Sequence, residues 1–157
     1  MLRFGVVAAV FVGVSSFLVV QGRAAHASNT APIQHTCGLT DREFIVNYQL
    51  ELENVGVYGG DYLSGDAKAK QVESAADDAA QVVRAARPLD PSLKTVRALA
   101  PVMFLDYAAA VKARSAGRDA GREMYLAYDI GARVQYTLQT AQQGLAAKGC
   151  DVGDLLQ

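Results

Sequence analysis

The chain holds two cysteines, Cys37 and Cys150, and they stand near the two ends of everything that reads as folded. If they pair, the start and the finish of the fold must meet, which removes most conceivable arrangements at once. In an oxidising compartment an even cysteine count reads as disulfides, and two cysteines allow one intramolecular pairing. Two free thiols or an intermolecular bridge are the alternatives. The choice rests on whether the chain is exported and on its topology.

Export is read from the N-terminus. Met1-Leu2-Arg3 supplies one positive charge, residues 4–20 (FGVVAAVFVGVSSFLVV) carry none, and Ala24-Ala25-His26-Ala27 follows. Ala25-His26-Ala27 fits the small-x-small pattern of a signal peptidase site. We expect a secretory signal peptide over residues 1–27. The alternative is an uncleaved anchor, for which this apolar run is at the short limit for crossing about 30 Å of hydrocarbon. No cysteine marks a lipoprotein cleavage point and there is no twin-arginine pair, so the general secretory route is expected. The remaining chain is expected to be secreted or extracytoplasmic, in the cell envelope or periplasmic space, without a stable membrane span. It has one domain's length. Without Arg3 and Arg23, thirteen basic residues face sixteen acidic ones, a net charge near −3. That balance gives no electrostatic case for nucleic acid, which wants a basic face.

Four helical segments follow an N-terminal arm over 28–39. Thr40 and Glu43 have the spacing of a capping box, with Leu39 and Phe44 placed as a hydrophobic staple. Phe44, Tyr48, Leu52, Val55 and Tyr62 then keep the 3.6-residue period. Asp66 is the expected N-cap of the second helix, whose stripe is Ala69, Val72, Ala76, Ala79, Val83 and Ala86, with Pro88 as its stop. Asp90-Pro91 reads as an N-cap followed by proline at the first helical position. The third helix carries Leu93, Val96, Leu99, Met103, Tyr107 and Val111, with Pro101 expected to kink or break it. The fourth runs from Asp119 or Ala120 to Lys148, with Met124, Tyr128, Gly131, Val134, Leu138, Ala141 and Leu145 inward. Gly149 suits the left-handed position past its end.

Short connectors favour antiparallel neighbours. The fold class is therefore all-α, an antiparallel up-down four-helix bundle over residues 40–150, with 151–157 as a tail. That topology puts the start of the first helix beside the end of the fourth, so Cys37 and Cys150 are expected to bond and to close the bundle. Alanine-rich stripes imply close helix packing and a thin core, which makes the bridge matter more.

Chemistry-bearing motifs are sparse. His35 is the one histidine beyond the signal segment, and neither Glu-x-x-His pairs nor a zinc ligand set is present. There is no G-x-S-x-G, no thiol is left for Cys/His catalysis, and no glycine-rich loop follows a strand. Asp77-Asp78 and Glu51/Glu53 read as solvated helix faces. No catalytic residue, metal or cofactor is expected.

Two features remain. Tyr48, Tyr58, Tyr62, Tyr107, Tyr125 and Tyr128 lie in or beside the inner stripes, either as packing or as the lining of an apolar cavity with hydroxyls for orientation. The loops 60–68 and 112–123 share the end opposite the cysteines and gather Arg114, Arg118 and Arg122 with Asp61 and Asp66. There they pair among themselves or hold an anion. Bends at Pro101 and at Gly56, Gly59 and Gly60 would open a pocket near this end.

Gly60-Asp61-Tyr62-Leu63 is similar to the end of the first helix in the small secreted haemophores of mycobacteria, whose tyrosine there helps bind haem. The likeness covers four residues. Ser64-Gly65-Asp66 stand where that family places a histidine, and the cysteine spacing differs. The resemblance implies haem as one possible cargo.

The reading that follows is a secreted, non-catalytic helical protein that acts as an extracytoplasmic binding or protein-interaction module. A carrier of a small apolar or anionic ligand, haem-like or lipid, is the alternative. A helical enzyme holding a carboxylated substrate through Arg97, Arg118, Arg122 and Arg133 is a further one. Candidate binding residues are Tyr58, Tyr62, Tyr107, Arg118, Arg122, Tyr125 and Tyr128.

Overall fold

The computed structural model describes residues 36–156. The expected signal peptide and the arm up to His35 lie outside the described residues. Four helices follow in order: α1 (Leu39–Ser64), α2 (Ala69–Ala85), α3 (Pro91–Ser115) and α4 (Gly121–Ala147), then a single 3-10 turn over Gly153–Leu156. α1 packs on α2, α2 on α3 and α3 on α4, while contacts between α1 and α4 are sparse. The molecule is an all-α, antiparallel up-down bundle in which one seam, α1 to α4, stays open.

The core is where the 3.6 period places it. Phe44 and Tyr48 of α1 stack with ring centroids 6.0 Å apart, and Tyr48 meets Phe104 of α3 edge-on at 6.2 Å. Such pairs add about 0.5–1.5 kcal/mol each beyond the area they bury. α2 contributes mainly small side chains, with Val72, Ala75, Ala76, Ala79, Ala80 and Val83 buried. Their size lets its backbone approach both neighbours.

Helix ends show which local signals hold. Asp90 caps α3, its Oδ1 accepting from the Ser92 N–H at 2.8 Å, with Pro91 following. Pro101 is buried inside α3, which runs unbroken past it. At the end of α4, Gly149 takes φ 77°. Its N–H donates to Ala146 and that of Cys150 to Leu145, both at 2.9 Å. This left-handed closure satisfies two terminal carbonyls and turns the chain so that Cys150 faces inward. Gly65 and Gly117 end α1 and α3 in the same way.

Two expected caps do not form. α1 begins two residues early, at Leu39, with Gly38 in place of Thr40 as N-cap and no side-chain capping bond. Leu39 is 81% exposed, so no staple forms with Phe44. Asp41 of the first turn reaches instead to the α2–α3 connection, accepting from the N–H groups of Leu89 and Asp90 at 2.5 and 3.0 Å. α2 starts after Lys68, whose N–H donates to Gln71 Oε1, while Asp66 accepts from the Ser64 hydroxyl.

Cys37 and Cys150 are bonded, with Cα atoms 4.6 Å apart across 113 positions. Lys148 Nζ donates to Asp90 Oδ2 at 2.5 Å beside them. The segment after Cys150, expected as a tail, folds back onto α4. Val152 and Leu155 are buried, and Gln135 Nε2 donates to the Leu155 carbonyl at 2.8 Å.

Candidate functional site

Two hollows lie along α1, one against the segment that follows α4 and one in the open α1–α4 seam. One, of about 600 Å³, lies beside the disulfide and is lined by Thr36, Arg42, Ile45, Val46, Gln49 and Asp151 among others. The other, of about 520 Å³, lies farther along the seam and is floored by α3. Its size falls within the ~300–1,000 Å³ usual for small-molecule sites.

The walls of the second hollow follow from helical spacing. α1 supplies Tyr48, Leu52, Val55 and Gly56, α3 supplies Met103, Phe104 and Tyr107, and α4 supplies Met124, Ala127, Tyr128, Gly131 and Gln135. Among the described residues, none that lines it carries a charge. Met103 and Met124 give it polarizable walls that adapt to irregular shapes. A Cβ added to Gly56 would meet nothing within 4 Å, so the missing side chain widens the groove. Gly131 lets Met103 Sδ come within 3.4 Å of where its own Cβ would stand.

Polar groups in the groove are phenols. The hydroxyl of Tyr107 sits against Gly59 of α1, in the space a Cβ there would need. Burial first, then the neighbouring Tyr128 and Tyr62 phenols, push the Tyr107 hydroxyl above the usual phenol range. Burial does the same to Tyr48, which forms part of the floor. Tyr48 and Tyr107 therefore stay protonated at neutral pH. None of these hydroxyls is hydrogen-bonded to another described residue. Gln135 is already committed to Leu155, so the docked tail meets this end of the groove.

The expected site residues separate into two sets. Tyr107 and Tyr128 line the groove, and the half-buried Tyr62 is the electrostatic neighbour of Tyr107. Tyr128 stands at the rim, 75% exposed, rather than inward. Tyr58 is half-buried against the core, and Tyr125 is 69% exposed; neither lines the groove. Arg118 and Arg122 are exposed and line neither hollow. No ion pair joins Asp61 or Asp66 to either of them among the described residues. Tyr48, expected among the cavity tyrosines but not among the candidate binding residues, lines the groove. Met103 and Met124 sat in the expected inner stripes without being singled out, and Gln135 was missed, because polar residues off the inner stripe give no periodic signal.

No family model, no curated protein and no solved structure matches this chain.

Proposed function

We propose that the protein is a non-catalytic extracytoplasmic binding protein that holds a small, mainly apolar ligand in the α1–α4 groove. The observation that carries this reading is an uncharged hollow of about 520 Å³, walled by three helices and bordered by phenols without partners. A disulfide that ties the ends of the bundle fits an oxidising compartment. The enzyme reading needs convergent arginines. Arg118, Arg122 and Arg133 are exposed, and Arg97 is engaged with the Arg84 carbonyl at 2.7 Å.

One observation favours the protein-partner reading beside it. Leu39, Val46, Leu50 and Val57 form a second apolar stripe on α1, on the face turned from the core, each at least 46% exposed. This explains why α1 shows so little amphipathic contrast between its faces.

Native mass spectrometry with an absorbance spectrum, on protein secreted by its own producer, separates the two. A stoichiometric adduct lost on unfolding supports the carrier and identifies the cargo. A bare chain moves the assignment to the outer stripe of α1 and a protein partner.

A further inference from the structure

We propose that the groove selects an uncharged apolar molecule with one hydrogen-bond acceptor, such as an ester or ketone carbonyl, which Tyr107 and Tyr128 meet with their phenolic O–H groups. This rests on the small-ligand reading above and narrows its chemistry.

Charge, or its lack, decides the class. A carboxylate or phosphate moved into an apolar hollow loses hydration that only a cation or a dense set of donors restores. No described lysine or arginine lines the groove. Arg122 and Arg133, the cations nearest in sequence to its α4 wall, are exposed and outside the lining. A cationic head is equally unsupported, because no carboxylate lines it either.

What the groove does offer is donors. Tyr107 lies in the wall with its hydroxyl held over Gly59, and Tyr128 stands across from α1 on the rim of α4. Neither is hydrogen-bonded within the described chain. Of the other polar side chains in the lining, Gln135 already donates to Leu155 and Tyr48 is buried in the floor. A carbonyl oxygen accepts from one or both phenols while the rest of the molecule lies along Leu52, Val55, Met103 and Met124.

The full chain is titrated with three probes: methyl laurate, laurate, and the hydrocarbon diphenylhexatriene. Methyl laurate is expected to bind at least tenfold more tightly than laurate. Tyr107→Phe is expected to weaken methyl laurate about two- to tenfold, the range of one net hydrogen bond. It should leave diphenylhexatriene binding and the melting temperature unchanged, which separates a lost hydrogen bond from a damaged groove. Laurate binding as tightly as its ester overturns the uncharged-ligand inference and leaves the small-ligand reading standing. An ester preference that Tyr107→Phe and Tyr128→Phe both leave intact overturns the role given to the phenols, since it then reflects partitioning alone. If no probe binds, diphenylhexatriene included, both readings fail together.

Discussion

Asp41 Oδ1 accepts the backbone N–H of Asp90 at 3.0 Å across 49 positions of sequence. Asp90 in turn uses its own carboxylate to cap α3 and to receive Lys148. Three helix ends, the start of α1, the start of α3 and the finish of α4, are thus joined by two carboxylates next to the disulfide.

Asp41→Ala removes the acceptor of two N–H groups, Leu89 and Asp90. We expect a loss of about 1–3 kcal/mol in urea unfolding, the usual range for stranding such groups. Asp41→Asn keeps a side-chain oxygen and should lose less. Equal stability of Asp41→Ala and wild type would remove this contact from the account of the fold.

The Asp90 carboxylate gives the fold an acid-side dependence. Burial alone raises its pKa, but the hydrogen bonds from Lys148 and Ser92, the Lys148 charge and the Leu93 N–H together bring it below the ordinary carboxylate range. A group lowered in the folded state stabilises above its unfolded pKa and loses that effect as pH falls through the folded value. The stability gap between wild type and Asp90→Asn should therefore be full at neutral pH and shrink below about pH 4. Lys148 has the opposite sign. Its hydrogen bond to Asp90, with the Asp90 and Asp41 charges, raises it against burial. Its share persists at neutral pH and disappears only as alkali passes the raised value. A gap that stays constant from neutral pH into acid would contradict the assignment.

Reducing Cys37–Cys150, or replacing both by Ser, releases a constraint across 113 positions. On the chain-entropy model the loss is up to about 4–5 kcal/mol. Gly149→Ala tests the turn that carries Cys150. At φ 77° a side chain costs about 1–2 kcal/mol, so this variant should melt earlier with the disulfide intact. A free-thiol titration distinguishes the two effects.

Gly56 offers the opposite kind of test. It lies exposed in α1 with open space where a Cβ would go. Gly56→Ala should raise stability by up to about 1 kcal/mol through helix propensity. Gly56→Trp should keep the fold by circular dichroism while filling the groove, so any adduct seen on wild type should be lost. Retention of the adduct would place the ligand elsewhere.

Much of the bundle was legible because its signals are local or periodic. Asp90-Pro91 starts α3 and Gly149 ends α4 through backbone chemistry that one residue dictates. The two cysteines met because up-down topology leaves few other partners. Thr40 and Glu43 misled for the same reason: the first turn of α1 is set by a long-range acceptor role for Asp41 that no local pattern records. The groove was half legible. Helical period placed Tyr48, Met103 and Tyr107 toward the middle, but period alone does not say that α1 and α4 stand apart. Arg118 and Arg122 were therefore expected beside Tyr107 and Tyr128, whereas both are exposed and outside the groove. The tail was equally unreadable, since Val152 and Leu155 are too few to show a period.

Because each helix packs on the one before it, nearly all of the core can be built from contacts close in sequence. Folds of that kind have low contact order and reach their native arrangement fast, in microseconds to milliseconds. The bond between Cys37 and Cys150 is the exception, since its second sulfur follows α4. It can close only once the chain is complete through Cys150, and the packing of each helix on the last brings that sulfur back to the start of α1, so the bond seals two ends that the fold itself draws together.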